Sequence, residues 1–147
     1  MRYFQTVVSV LALCGLFSLN AQAAHNEHNP GQHKVVIQVS SDDARTQTIA
    51  MNNAVNLQKA LGMDNVSIEI VAYGPGLSML VGGAKQSQRV SSLAKQEIVF
   101  SACGNTMKKV AKKQGKPMVL SEGVQVVSAG VLRIMELQEQ GYSYVRP

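Results

Sequence analysis

Cys103 lies in the run Phe100-Ser101-Ala102-Cys103-Gly104-Asn105-Thr106, between an apolar stretch and a lysine-rich one. A thiol at a strand-to-helix turn sits where helix N–H groups point outward, which favours the thiolate. The helix start at Asn105 and the cations Lys108 and Lys109 one turn on would stabilise that anion. Such a thiolate can attack a polysulfide or persulfide donor and hold the transferred sulfur. The alternative is a small buried apolar residue, as free cysteines often are. Tyr73-Gly74-Pro75-Gly76 is a second candidate. Its glycines allow positive φ or close backbone approach, and the Tyr73 phenol can donate a hydrogen bond. This run reads either as the wall of a pocket beside Cys103 or as a tight turn with a packed tyrosine. Lys108, Lys109, Lys112, Lys113 and Lys116 form a cluster that attracts anions or an acidic partner protein, or else a plain solvated face.

Other chemistries find less support. The histidines, His25, His28 and His33, lie together in a polar stretch near the start. They could bind copper or zinc weakly, but their spacing matches no rigid site, and a plain linker is the other reading. Because all three are there, no Ser/His/Asp set is available. Gly82-Gly83 is not followed by the Lys-Ser/Thr of a phosphate-binding loop. Asp42 and Asp43 read as helix-start residues, so no carboxylate pair for glycoside chemistry is evident. Few aromatics and no recognised binding motif argue against nucleic acid.

The N-terminus sets the compartment. Arg2 gives a basic start, Val7 to Leu19 is apolar, and Ala21-Gln22-Ala23 fits a small-x-small cleavage site. Residues 1–23 are therefore expected to be a secretory signal peptide. A retained membrane anchor is the alternative, but the run is shorter than the roughly 20 residues a spanning helix needs. Leu13 is too large to precede a lipoprotein cysteine, so no lipid anchor on Cys14 is expected. The chain has 147 residues, a net charge of +5 and 2 cysteines. Cleavage removes Arg2 and Cys14 and leaves Cys103 alone. Exported proteins normally pair their cysteines, so a lone one is buried and inert, paired between chains, or reactive. A bacterial periplasm is the expected location, with no stable membrane anchor after cleavage. Residues 24–33 read as a disordered leader and 34–147 as one domain.

The elements that position these residues alternate. Lys34 to Val39 reads as a strand. Ser40 to Asp43 caps a helix that runs to Leu61 with Ala50, Ala54, Leu57 and Leu61 on one apolar face. Asn52 and Asn53 are either exposed or line a cleft. Val66 to Tyr73 is a second strand, Leu77 to Val81 a short helical turn, and Gln86 to Gln96 a helix. Glu97 to Ser101 is the third strand, ending before the cysteine turn. Asn105 to Gln114 is a helix with Met107, Val110, Ala111 and Gln114 inward, and Val124 to Val127 a fourth strand. The last helix starts at Ser128-Ala129-Gly130, with Val131, Ile134, Met135 and Leu137-Gln138 giving a mixed apolar face. Tyr142 to Val145 is a fifth strand. This order predicts a mainly parallel sheet with helices on both faces. Ligands then bind at the carboxyl ends of strands, where the Ser40, Tyr73, Cys103 and Ser128 turns converge.

Three spaced blocks carry a resemblance: Val71 to Leu77, Phe100 to Met107, and Ala129-Gly130-Val131 followed by Gln140 to Pro147. Over Lys34 to Pro147 the sequence resembles the DsrE/DsrF-like family of small sulfur-relay proteins. That resemblance implies a three-layer α/β/α sandwich with a five-stranded parallel sheet, and a homo-oligomer, commonly a trimer or hexamer. It also implies a cysteine that accepts sulfur as a persulfide and passes it on, a role that falls on Cys103 and needs no cofactor. Tyr73, Gly74 and Gly76 would shape the pocket, and sulfur donor or acceptor proteins are the implied partners. A non-catalytic oligomeric module, binding a small anion or a protein at the same edge, is the other function this fold would serve.

Overall fold

The computed structural model describes residues 33–147; the signal-peptide and leader expectations, with Cys14, His25 and His28, lie outside the described residues. β1 (His33–Val39) is buried from Val35 onward, as suits a β-branched central strand covered on both faces. Asp43 caps α1 (Ala44–Leu61), its carboxylate accepting the Thr46 N–H at 2.7 Å. The Thr46 hydrogen bonds hold the Asp43 carboxyl below its ordinary value. Gly62, at φ 87°, ends the helix.

The inward face of α1 is Gln47, Ala50, Met51, Ala54 and Gln58. It is rotated from the expected stripe, and Leu57 and Leu61 are half-buried at its margin. The two glutamines fit inside because their amides are paired. Gln58 donates to the Gln96 carbonyl at 2.6 Å, and Gln47 to Ser78 Oγ at 2.9 Å. Asn52 is exposed, whereas Asn53 lines an apolar groove with Ile37, Asn56, Leu57 and Val145.

β2 (Val66–Ala72) leads into a 3-10 segment at Gly74–Leu80, and then come α2 (Ser87–Ala94), β3 (Ile98–Cys103) and α3 (Gly104–Gln114). β4 (Val124–Val127), α4 (Gly130–Glu139) and β5 (Ser143–Val145) complete the chain. All strand pairs are parallel, in the order β4-β3-β2-β1-β5. One face packs α1, α2 and Met107 of α3 onto a core that includes Ile37, Ile70 and Phe100. The other face carries α4, whose Ile134 and Leu137 meet Val36 and Val71. This is the α/β sandwich that the alternation of elements predicts. Phe100 and Ile37 are fully buried, and truncating either to Ala would cost roughly 2–5 kcal/mol.

Several expectations need correction. β3 does not stop at Ser101. Ala102 pairs with Val126 and Cys103 with Val127, so the ladder carries the small residues past the expected turn, and α3 begins at Gly104 with no loop between. Glu97, at φ 67°, stands outside the strand. On α4, Val131 and Met135 are not inward but 55% and 53% exposed, and Gln138 is exposed as well. The inward positions 130, 134 and 137 follow the 3–4 spacing of a helix face, and 131 is set about 100° away from 130. Gln114, expected inside, is also exposed, and Met107, Val110 and Ala111 are only half-buried. Among the described residues no helix is long and apolar enough to cross a membrane.

Candidate functional site

The connections leaving β1, β2 and β3 all pass to the face of the larger core, and the one leaving β4 passes to the opposite face. β3 and β4 are neighbours, so the chain divides between their carboxyl ends. Such switch points open a crevice in parallel sheets. Cys103 is the last residue of β3, and α4 begins at Gly130, three residues after β4. Two helices thus start beside one thiol.

Close packing at this junction depends on glycine. A Cβ on Gly130 would lie 3.0 Å from Tyr73 Cβ, 3.1 Å from Tyr73 Cδ1 and 3.3 Å from Cys103 Cβ. One on Gly104 would lie 3.0 Å from the Val127 carbonyl oxygen. The starts of α3 and α4 can therefore close on the sulfur, and Cys103 is only 5% exposed. Burial pushes the thiol up. That effect is outweighed by hydrogen bonds from the Thr106 hydroxyl and from the N–H groups of Thr106, Gly130 and Asn105, which hold Cys103 below its ordinary 9.0. Those N–H groups belong to the first turns of two helices, where the backbone dipoles present positive charge. The Thr106 oxygen also accepts the Gly74 N–H at 3.0 Å, which leaves its single O–H for the sulfur. Asn105 N–H also reaches the Ser128 carbonyl at 3.3 Å.

Beneath the thiol, on the same face of the sheet, lies a polar network. Glu69 of β2, 3% exposed, accepts from Arg133 Nε and Nη2 at 2.8 and 2.7 Å and from the Ser101 hydroxyl at 2.5 Å. Gln125 Nε2 donates to Ser101 Oγ at 2.9 Å. Hydrogen bonding to Glu69 raises Arg133 above its already high value. Among the described residues, no group of three or more His, Cys, Asp or Glu is placed to hold a metal ion. His33 starts β1, at the amino ends of the strands, whereas Cys103 lies at their carboxyl ends.

Neither a scan against protein-family models nor a search of curated proteins gives a match. Among solved structures, MTH1491 of Methanobacterium thermoautotrophicum, a protein of unknown function, is 36% identical; the alignment covers 79% of this chain and 100% of that one, with a TM-score of 0.71. The chain belongs to the DsrE-like family. The ychN protein of E. coli aligns with 79% of this chain and 99% of its own, with a TM-score of 0.60. At 13% identity that likeness is one of fold.

In this DsrE-like chain the expected site residues divide. Cys103, Tyr73, Gly74 and Asn105 come together at the switch point. Gly76 does not. A Cβ there would lie 2.2 Å from the Val39 carbonyl oxygen, so Gly76 lets the 3-10 segment press on the end of β1. Lys108 and Lys109 are exposed, and neither ammonium has a hydrogen bond or ion pair among the described residues. The reading of the sequence missed the Thr106 hydroxyl, the Gly130 N–H and the Glu69 network. One signal was available: Glu69 is the single charged residue in Val66-Ser67-Ile68-Glu69-Ile70-Val71-Ala72, and a charge inside a central strand requires a partner.

Proposed function

We propose that this chain is an exported, periplasmic sulfur carrier that holds sulfur as a persulfide on Cys103. The observation that carries this reading is the convergence of Thr106, Gly130 and Asn105 on the Cys103 sulfur. Donors aimed at the sulfur favour its anion, the form that attacks another sulfur. In the transfer, the thiolate attacks the outer sulfur of a donor persulfide. The new Cys103 S–S bond forms as the donor S–S bond breaks. The donor leaves as a thiolate, and the proton stays on the transferred sulfur. The acceptor reverses these steps. Tyr73 and Gly74 wall the site, and Lys108 and Lys109 supply long-range attraction for anionic donors. Incubating the protein with polysulfide and measuring intact mass tests the reading. One added sulfur on the wild type and none on Cys103→Ser is expected. No addition to the wild type, or addition that survives in Cys103→Ser, overturns it.

A second reading is a non-catalytic oligomeric module that binds a small anion or a protein at this edge. The burial of Cys103 favours it, as do the outward Val131, Leu132 and Met135 of α4, 55%, 46% and 53% exposed. Side chains of that kind suit an interface between copies, such as a trimer or hexamer. Here Cys103 would react with a thiol reagent only after denaturation.

A further inference from the structure

α4 is lightly held. Its buried apolar side chains are Ile134 and Leu137, which lie toward its middle and far end. Near its start the hold is polar. Arg133, one turn after Gly130, places a two-pronged hydrogen bond on Glu69, a buried carboxylate of the central strand β2. Ser101 of β3 donates to that same carboxylate and accepts from Gln125 of β4. Three strands and one helix are therefore tied at one point, directly below the thiol. A fork-on-carboxylate contact permits a narrow range of orientations. Buried ion pairs of this kind add little net stability over apolar packing, and their best-attested use is fixing register. The register at stake is the seat of the first turn of α4, which carries the Gly130 N–H.

We propose that Glu69 and Arg133 are positioning residues for Cys103: their ion pair seats the first turn of α4 so that the Gly130 N–H stays on the sulfur. The purpose of this arrangement rests on the sulfur-carrier reading, but its action on the thiol is measured with no sulfur donor present. The charged and titratable groups on the elements around the thiol are Tyr73 at the end of β2, Glu69 lower on that strand, Arg133, Glu136 and Glu139 on α4, and Lys108, Lys109, Lys112 and Lys113 on α3. Breaking the ion pair changes only two of these groups, and both lie below the sulfur.

The test is the pH dependence of Cys103 alkylation by iodoacetamide, with Cys103→Ser as the blank and circular dichroism as the check on folding. In Arg133→Met and Glu69→Gln the midpoint of the profile moves up by about one pH unit. The rate at neutral pH then falls about tenfold, while the limiting rate at high pH is unchanged. Arg133→Lys keeps the charge but loses the fork, and gives a midpoint between those of the wild type and Arg133→Met. Where a single variant fails to fold, the double variant Glu69→Leu/Arg133→Met replaces the pair by apolar groups of similar volume, and its midpoint moves up as well. A wild-type midpoint in any folded variant that lacks the pair overturns the proposal. A wild type that shows the lowered midpoint but takes up no sulfur overturns the carrier reading and leaves the positioning role standing.

Discussion

The N–H of Gly74 donates to the hydroxyl oxygen of Thr106 at 3.0 Å. This bond joins the turn after β2 to the first turn of α3. The Thr106 oxygen is the acceptor in this bond, so its single O–H remains for the Cys103 sulfur. Thr106→Val keeps the shape of the side chain and removes the hydroxyl. Its thiol titration midpoint is expected to rise by about one pH unit, as read by alkylation rate against pH. An unchanged midpoint would mean that backbone N–H groups alone hold the anion.

The lowered Cys103 value links the site to stability, and the sign follows from the direction of the shift. The folded protein favours the thiolate more than the unfolded chain does, whose value is near 9.0. The stabilisation is present in full above 9.0 and is lost as the pH falls through the folded value. Urea unfolding of the wild type and of Cys103→Ser should therefore diverge as the pH is raised toward 9.0, with the wild type gaining. A constant gap across that range would contradict the shift.

Three of the glycines of the edge should respond differently to Ala. Gly130→Ala forces a methyl group between Tyr73 and Cys103, costs about 1–3 kcal/mol and raises the thiol midpoint by lifting α4. Gly76→Ala drives a methyl group into the backbone of β1, so its cost reaches the top of that range or beyond and falls on folding itself. Gly74→Ala meets no atom within 4 Å, but φ there is +53°, so about 1–2 kcal/mol of left-handed backbone strain is the whole cost. Urea midpoints rank the three.

Leu132→Asp combined with Met135→Glu places charge on the exposed side of α4. If copies of the chain meet on this face, light scattering should show the assembly falling to monomer, with the circular dichroism spectrum retained. An unchanged mass would move the interface to another surface.

The layout of the fold was legible because its cause is local. β-Branched runs such as Val35-Val36-Ile37 and helix caps such as Asp43 and Gly62 act over a few residues, so alternation and sheet type followed from the sequence. The end of β3 was not, because Ser101, Ala102 and Cys103 look like a turn until β4 lies beside them and continues the ladder. Cys103 was legible as a residue type at an element boundary, but its donors were only partly so. Gly130 is 27 residues further along the chain and reaches the sulfur through the topology of the sheet. Arg133 was hidden in the same way. Nothing near it in sequence foretells a carboxylate on β2, although Glu69, alone in an apolar strand, posed the question that Arg133 answers. On α4, apolar residue type was mistaken for inward direction at Val131 and Met135.

The Tyr73 ring packs against Gly130 with less than one carbon to spare, and Cys103 borders the same glycine. The chain contains no tryptophan, so tyrosine dominates its intrinsic emission, and one of those emitters stands at the thiol. If Cys103 takes up an atom on its sulfur, the surroundings of that ring are expected to change, because both residues border Gly130. Tyrosine emission would then report a change at Cys103 in solution, without a dye.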